Sequence, residues 1–498
     1  MTQLGRKIVF GLVRPNSLAL AGMVVLVLGL MPQLVNSQNQ AFSIESNQAP
    51  SQGERTADDG TVFVTGQNSF LMPLPTLDQA EGERFVVGNS FFRRNWVQAP
   101  ASTVARDGLG PHFIGRSCAA CHGAGGRGNL PETIDGVREQ PVALLLRLSI
   151  PGKPGKDKHG GVVPDPVYGD QISNFAVQGV VPEAEINIAY KALYGKFADN
   201  TAYTLKTPSY RLSKLGYGPV SKNLMVSPRI APQVAGVGFL DAISEADILQ
   251  NAAQQAAAVG PIKGQVNRVW DAFSKEMRIG RFGWKANVAT LASQTAGAFV
   301  GDMGITSSTF PKETCTPKQK DCLAAPHGAK GLEPEVNDAI FANVVFWQST
   351  LAPAARRNFD SLDVVKGQQL FAQAQCAACH RPSYVTDKAP FPQMSSSKVN
   401  NKQIWPYTDL LLHNMGAGLA DGRPDFQANG QQWKTPPLWG IGLIQEVNGH
   451  KQLLHDGRAK GVLEAILWHD GEAKDSKNRV LRMTAAERAA LVKFVESL

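Results

Sequence analysis

The pentapeptide Cys-Ala-Ala-Cys-His occurs twice in this 498-residue chain, at residues 118–122 and 376–380. Two cysteines three positions apart on a helical turn point to the same side, and the histidine that follows can reach a metal beneath them. C-x-x-C-H is the attachment signature of c-type haem, in which the thiols form thioethers and the histidine becomes the proximal iron ligand. The motifs predict two covalently bound haem c groups, held by Cys118, Cys121, His122, Cys376, Cys379 and His380.

Two other interpretations of the motifs are weaker. A zinc site needs four ligands, which the two motifs supply only if they meet in space. A thioredoxin-like C-x-x-C needs no histidine after it and lies in a βαβ context, which this sequence lacks. Because the motif occurs twice, in two matching halves, haem is favoured over both.

The ligand on the other face of each haem decides its role, because a protein ligand makes an electron carrier and an open face permits chemistry. Besides Met415, the candidates are the remaining histidines, His112, His159, His327, His413, His450, His455 and His469. A helix over residues 461–469 places His469 on an apolar stripe, a pattern that fits an iron ligand and a core histidine equally well. His159 is expected in a solvated loop and His455 at the edge of a turn.

The two motifs lie in halves that share one order of elements. Segment 231–240 (APQVAGVGFL) resembles segment 435–444 (TPPLWGIGLI), with a proline and two glycines in register. The helical stretch 337–351 resembles the C-terminal stretch 485–498, which has an apolar stripe at helical spacing. Each half therefore contains a motif, a Pro-Gly-rich segment and a closing helix.

Two finer features accompany this repeat. Phe113 and Phe371 each stand five residues before the first cysteine of their motif. Thr484 and Glu487 have the spacing of a capping box at the start of the C-terminal helix.

The repeat predicts two fused, cytochrome-like halves, at residues 81–357 and 358–498. The first half is longer, and its excess lies mostly between His122 and Pro232. That stretch is rich in Gly and Pro and is expected to form long loop insertions. Residues 38–80 are predicted to be a flexible linker, because Gln, Ser, Asn and Glu dominate their first part.

Residues 1–37 have the order of an export signal, with basic residues before the apolar run 18–35. The run is almost long enough to span a bilayer, so a cleaved signal peptide and a retained N-terminal membrane anchor both stay open. Either one predicts a periplasmic or otherwise exported protein. In such an oxidising compartment, Cys315 and Cys322 are expected to form a disulfide.

The composition limits the class of partner. Hydrophobic residues make up 43% of the chain and charged residues 18%, which is typical of globular proteins and excludes wholesale disorder. The formal net charge is +8, but no basic stripe with interleaved aromatic residues is visible, so a nucleic acid partner is not expected. A mildly basic face for an acidic redox partner is compatible with this charge.

The chain after the linker resembles the di-haem oxidoreductases, which are described as peroxidases or thiol oxidoreductases. These are relatives of bacterial di-haem cytochrome c peroxidases and of the di-haem enzyme that matures methylamine dehydrogenase. The stretches that carry the resemblance are GRSCAACHGAGGRG, GRFGWKANVATLASQTAGAFVGDMGIT, YTDLLLHNMGAGLADGRPDF and LLHDGRAKGVLEAILWHDGEA. The resemblance implies a mainly α fold of two fused cytochrome c-like domains, a reactive first haem and a six-coordinate second haem. Calcium stays open as a further cofactor.

The resemblance also implies where the sixth ligand of the second haem lies. In the family it comes fourteen residues after the histidine of the H-D-G segment. Counting from His455 leads to His469, so a bis-histidine haem with His380 is predicted. Two imidazoles favour a lower reduction potential than a histidine and a methionine.

At the first haem the chain departs from the family pattern. The peroxidases have L-E-E-Q-A with a glutamate as acid/base; here Gln294 matches the glutamine, but Ala292 and Ser293 replace the glutamates. A glutamine can orient peroxide but cannot shuttle its proton. Trp284 is a candidate for stacking near the haem or carrying electrons. The groups considered as replacements for the glutamate are Lys285, Asp241 and Glu245.

These residues support three functional hypotheses. The first is an enzyme that reduces peroxide or another small oxidant at the first haem, with electrons relayed by the second haem from a small donor protein, a c-type cytochrome or a cupredoxin. The second is an electron-transfer cytochrome with two six-coordinate haems, which the missing glutamate favours. The third is an oxidase of side chains on a partner protein.

Overall fold

The structure, a computed structural model, describes residues 52–131, 133–134, 137–153, 160–329 and 333–498. The predicted signal or anchor segment, the linker residues 38–51 and His159 lie outside the described residues.

Residues 52–80, the remainder of the predicted linker, pack against the rest of the chain. Ala57 and Phe70 are buried, and the backbone N–H of Val62 donates to the carbonyl of Pro353.

The described helices include one closing helix for each half of the chain. In order, the α-helices are α1 (Gln79–Arg93), α2 (Cys118–Cys121), α3 (Val237–Asp241), α4 (Glu245–Ala257), α5 (Leu291–Asp302), α6 (Lys320–Leu323), α7 (Asp338–Ser349), α8 (Leu362–Gln373), α9 (Ile444–Asn448), α10 (Val462–Trp468), α11 (Lys474–Arg482) and α12 (Ala485–Ser497). The predicted capping box of Thr484 and Glu487 is confirmed at the start of α12. Within the described ranges, no helix has the length and apolar character needed to cross a membrane.

The described strands form small antiparallel pairs. They are β1 (His112–Phe113), β2 (Thr133–Ile134), β3 (Val137–Arg138), β4 (Leu144–Ser149), β5 (Phe175–Ala176), β6 (Glu185–Lys196), β7 (Ala202–Ser213), β8 (Met225–Ile230), β9 (Arg268–Asp271), β10 (Glu276–Ile279), β11 (Tyr384–Val385), β12 (Gln403–Ile404), β13 (Leu412–Asn414) and β14 (Gln432–Lys434). The pairs are β1–β5, β2–β3, β4–β8, β6–β7, β9–β10, β11–β12 and β13–β14.

The predicted mainly α fold class is wrong, because the chain is mixed α/β, with 31% helix and 18% strand in several small sheets. Much of the strand content lies in the long excess of the first half, which was expected to form loops. There β6 and β7 pair along twelve residues each, and β4 pairs with β8. A proline inside a strand is tolerated in a two-stranded ribbon, as at Pro208 opposite Tyr190.

The repeat inferred from the sequence is visible in two pairs of packed helices. Helix α1 packs on α7 in the first half, and α8 packs on α12 in the second. Each pair approaches closely at a glycine. A Cβ on Gly88 would overlap the carbonyl oxygen of Asn343, and a Cβ on Gly367 would overlap that of Ala490.

The two Pro-Gly-rich segments also occupy equivalent places. A Cβ on Gly238 would overlap the carbonyl oxygen of Ser349 near the end of α7, and one on Gly442 would overlap that of Glu496 near the end of α12. The first glycine of each pair, Gly236 or Gly440, has a left-handed backbone conformation that precedes a short helical turn. The same local structure is therefore built twice.

The structure does not match Phe113 with Phe371, which the sequence places at the same distance before the two motifs. Phe113 lies in β1 and stacks on Phe175, with ring centroids 6.0 Å apart. The counterpart of Phe371 is Phe92 on α1, because both follow the close-contact glycine of their helix by four residues. The Phe92 ring is 6.2 Å from the ring of His122, and the Phe371 ring is 6.3 Å from the His380 ring.

The close packing of α1 on α7 leads to a stability prediction with a control on the same helix. Replacing Gly88 by Ala is expected to lower the free energy of unfolding by about 1–3 kcal/mol, because the new methyl group must displace α7. Replacing Gly82 by Ala, where a Cβ meets no atom within 4 Å, is expected to raise it by about 0.4–1 kcal/mol. Urea unfolding measures the free energy of unfolding of both variants. Equal changes in the two variants would contradict the close packing of α1 on α7 at Gly88.

Candidate haem sites

The first C-x-x-C-H motif faces a cavity of about 1360 Å³, including its open mouth. The Ser117 hydroxyl accepts the backbone N–H of Ala120 and so begins α2, which presents Cys118, Cys121 and His122 to this cavity. His122 Nδ1 lies 2.6 Å from the carbonyl oxygen of Pro232. Because a carbonyl only accepts, Nδ1 bears the hydrogen and Nε2 keeps its lone pair for a metal.

The second motif faces a cavity of about 1510 Å³, again including its mouth. His380 Nδ1 is 3.0 Å from the carbonyl oxygen of Tyr407, which leaves its Nε2 free in the same way. Burial lowers the pKa of His380 to about 4, so its imidazole is neutral at pH 7.

His469 lines this second cavity together with His380. It follows α10 directly, as the helix predicted over residues 461–469 requires. Its Nδ1 is 2.7 Å from the carbonyl oxygen of Ala465, so its Nε2 is also free. The two imidazoles are near enough for a charge on His469 to lower the pKa of His380 further.

The donor atoms and the space of both cavities fit a haem. The cysteines of both motifs are free thiols, and burial raises the pKa of Cys118 and of Cys376 to about 12, so both are protonated. In the first cavity a Cβ on Gly297 would meet no atom within 4 Å, which leaves room for a flat group against α5. The second cavity is lined mainly by apolar side chains, among them Leu438, Val462 and Ile466.

The first cavity is bordered by one face of α5. Gln294, Ala298 and Asp302 line it at positions four residues apart, which is the spacing of one helical face. No described residue hydrogen-bonds to the side-chain amide of Gln294. Asp302 Oδ1 accepts a hydrogen bond of 2.9 Å from Gln171 Nε2, and burial raises the pKa of Asp302.

Asp302 was missed from the sequence. The family comparison directed attention to residues 292 and 293, where the family has glutamates. The helical spacing from Gln294 was the available signal, but it points to Asp302 only once the face of α5 toward the cavity is known. Among the described residues that line this cavity, His122 is the only histidine and Met303 is the only methionine.

Lys285 does not line either described cavity. Its Nζ donates to Asp421 Oδ1 and to the carbonyl of Arg423 at 2.8 Å, and to the carbonyl of Asn429 at 2.9 Å. Burial lowers the pKa of Lys285 to about 8. With three hydrogen bonds, this ammonium fixes the loop 421–429 and has no donor left for a ligand.

Asp241 and Glu245, the other groups considered as replacements for the glutamate, do not line the first cavity either. Asp241 Oδ1 accepts the backbone N–H of Leu291 at the start of α5, and burial raises its pKa to about 7. Glu245 forms an ion pair of 2.9 Å with Arg278. Both carboxylates brace elements near α5.

Trp284 lines both cavities, and so do Pro232 and Gln233. The indole Nε1–H donates to the carbonyl of Ile230 at 2.8 Å, which fixes the ring. The guanidinium of Arg127, which also lines the second cavity, lies 5.1 Å from the ring centroid. A single aromatic side chain therefore borders both candidate haem sites.

The other candidate ligands are distributed as follows. His455 and Met415 line the second cavity, and the His455 ring stacks on Trp433 at 3.7 Å. His413 also lines it, but its two nitrogens are each 2.8 Å from a carboxylate, of Asp409 and of Glu472. Nitrogens of His112 and His450 contact the carbonyls of Val181 and Arg127. The predicted disulfide between Cys315 and Cys322 is confirmed.

The sequence of the chain was compared with models of known protein families. A family model described as "Di-haem oxidoreductase, putative peroxidase" matches residues 51–498. The chain therefore belongs to the di-haem oxidoreductase family, and it is an oxidoreductase whose cofactors are haems. No curated protein matches the chain, and no solved structure does.

Proposed function

We propose that the protein is an exported di-haem c-type oxidoreductase that reduces peroxide at the first haem, with electrons relayed by the second. The two haems would be attached through thioethers to Cys118 and Cys121 and to Cys376 and Cys379. The C-x-x-C-H spacing, the protonated thiols in each cavity and the free Nε2 of His122 and of His380 support this attachment.

The observation that carries the proposal is the difference between the two cavities. The described lining of the second contains four histidines, of which His380 and His469 each have Nδ1 bonded to a carbonyl and Nε2 free. The described lining of the first contains one histidine, His122, and the unpaired amide of Gln294. Six-coordinate iron transfers electrons, and iron with an open face binds small molecules. The difference therefore supports electron transfer at the second haem and reaction with peroxide at the first.

The first cavity offers two groups suited to peroxide. When bound, the haem supplies the redox chemistry that cleaves the O–O bond. The Gln294 amide is free to hydrogen-bond to a peroxide oxygen and orient it. Conversion of hydrogen peroxide to two waters consumes two protons with the two electrons, and Asp302 is the carboxyl in this cavity that can give and take them. Burial raises the pKa of Asp302 above that of an exposed aspartate, which favours the protonated form relative to an exposed carboxyl group.

Trp284 is the side chain placed for electron transfer between the sites, because it borders both cavities. The external donor in this proposal is a small c-type cytochrome or a cupredoxin. Export is supported by the signal-like N-terminal sequence and by the disulfide of Cys315 and Cys322, since disulfides persist in oxidising compartments.

One observation favours the second candidate function, an electron-transfer cytochrome with two six-coordinate haems. Met303, at the end of α5, is buried and lines the first cavity. A thioether that binds iron there would close the open face. The two functions differ in whether the first haem accepts external ligands.

Turnover of hydrogen peroxide tests the proposal. The haem-loaded protein, supplied with an excess of a chemical electron donor, is expected to consume peroxide catalytically with two donor electrons per molecule of peroxide. A Met303→Leu variant is expected to keep this activity, because Met303 is a core residue in the proposal. Absence of turnover in the wild type, with gain of activity in Met303→Leu, would instead support the electron-transfer cytochrome.

A further inference from the structure

A group of metal-ligating side chains lies outside both haem sites. Glu313, His327 and Glu335 come from the chain between α5 and α7, and one ligand atom of each lies within 4.8 Å of the other two. None of the three lines either haem cavity. The group therefore needs an explanation of its own.

Glu313 is a buried carboxylate with an incomplete set of partners. Its side chain is 7% exposed, and its Oε1 is 2.8 Å from His327 Nδ1. The polar atom near Oε2 is Cys315 Sγ, at 3.6 Å. Because that sulfur is bonded to Cys322, it has no hydrogen to donate, so Oε2 has no proton donor among the described residues. A buried carboxylate oxygen without a donor is unfavourable unless a cation supplies the charge.

Glu335 is fixed in place beside Glu313. Its Oε2 accepts the backbone N–H and the hydroxyl of Thr306 at 2.9 and 3.0 Å, and its Oε1 accepts the N–H of Gly328 at 3.0 Å. Oε1 accepts a single hydrogen bond and so still has a lone pair for a further ligand, whereas both lone pairs of Oε2 are used. Burial and the neighbouring charge of Glu335 raise the pKa of Glu313 to about 7, as expected for two carboxylates held together.

We propose that Glu313, His327 and Glu335 bind one divalent transition-metal cation with the coordination chemistry of Zn²⁺. One imidazole nitrogen and two carboxylate oxygens form a set that zinc accepts, and the nitrogen disfavours Ca²⁺ and Mg²⁺, which prefer oxygen ligands alone. Zinc–ligand distances are about 2.0–2.2 Å, so atoms already within 4.8 Å reach one ion through small side-chain rotations. The His327 side chain is 52% exposed, which gives the ion an entry path and a water as fourth ligand.

The bound ion would join three segments that follow α5. Glu313 precedes the disulfide loop, His327 follows it, and Glu335 holds Thr306 just beyond the end of α5. Its role would be structural, since it would restrain the C-terminal end of the helix that borders the first haem cavity. This role does not depend on the peroxidase proposal.

The test uses the full-length, haem-loaded protein after treatment with a chelator and dialysis. Equilibrium dialysis against Zn²⁺, with the metal content measured by mass spectrometry, is expected to give saturable binding of one ion per chain. Glu313→Gln and His327→Ala are each expected to weaken this binding by about 100-fold or more, since each removes a direct ligand. Glu333→Gln is the matched control, because Glu333 is an exposed acid two residues from Glu335.

The outcomes separate clearly. Binding lost in Glu313→Gln and in His327→Ala but kept in Glu333→Gln supports the site. Binding that is equal in all four proteins, or absent from the wild type at 100-fold excess Zn²⁺, overturns it. Occupation by Ca²⁺ in preference to Zn²⁺ contradicts the nitrogen ligand. His327→Ala changes an exposed side chain and keeps the test valid if Glu313→Gln fails to fold, and none of these readouts requires peroxide activity.

Discussion

Replacing Asp302 by Asn is expected to lower the rate of peroxide turnover by about 100- to 10 000-fold, the usual contribution of an acid/base group. The asparagine keeps an oxygen to accept the Gln171 hydrogen bond, so the end of α5 should stay in place. What is lost is a carboxyl group that can give and take protons in the first cavity. The pH–rate profile is the discriminating readout, because the limb that reports Asp302 should disappear.

The control for Asp302 is Asp241→Asn. Asp241 is also a buried carboxyl group with a raised pKa. It accepts a hydrogen bond from the first residue of α5, Leu291, and does not line the cavity. It is expected to change stability but to leave the pH–rate profile unchanged. A rate in Asp302→Asn within about threefold of the wild type, with both haems attached, would show that protons reach peroxide by another route.

Replacing His469 by Ala is expected to convert the second haem from low spin to high spin and to lower peroxide turnover by about 10- to 100-fold. The reason is that His469 Nε2 is free and faces the cavity of His380, while its Nδ1 is held by Ala465. In the proposed coordination, loss of this imidazole would remove one of the two histidine ligands and raise the reduction potential of the second haem. Optical spectra and turnover measure the two effects.

Free imidazole and a second histidine variant make this test specific. Imidazole added to His469→Ala is expected to restore the low-spin spectrum, because it can occupy the space that the side chain leaves. His455→Ala is the matched control, since His455 lines the same cavity but stacks on Trp433. A spectrum that changes in His455→Ala and not in His469→Ala would reassign the ligand.

The sequence predicted the repeat well, because the repeat rests on steric requirements that appear as residue types. The glycines at 238 and 442 recur because each passes against the carbonyl of a closing helix, where no side chain fits. The phenylalanine register predicted from the sequence was wrong. Phe113 matches Phe371 in its distance along the chain from the motif, but Phe92 matches it in its position beside the motif histidine. Insertions between α1 and the motif conceal that relationship from sequence spacing.

The mainly α prediction was wrong chiefly in the long excess of the first half, because a high Gly and Pro content does not distinguish loops from short strand pairs. In β6, Ile186 and Ile188 alternate with the more exposed Asn187, which is the period of a strand. This alternation is a local strand signal that the Gly and Pro content of the stretch does not report. A two-stranded ribbon also depends on pairing with β7, which the pattern of one strand does not reveal.

Site residues that belong to a sequence motif could be predicted, whereas residues that reach a cavity only through the packing of a helix could not. The two C-x-x-C-H segments indicated their cavities directly. Lys285 was proposed from its neighbourhood in the sequence, yet its ammonium bonds to the loop 421–429. Asp302 depends on the rotation of α5 about its axis, which becomes visible only after the helix is packed.

In the proposed protein, one haem has an open face and the other is closed by two histidines. The most direct test is to record EPR and optical spectra of the oxidised, haem-loaded protein before and after addition of cyanide. We predict one high-spin haem beside one low-spin haem, with cyanide converting only the high-spin signal. Two low-spin haems that do not respond to cyanide, including after partial reduction, would contradict the account and make the protein an electron carrier.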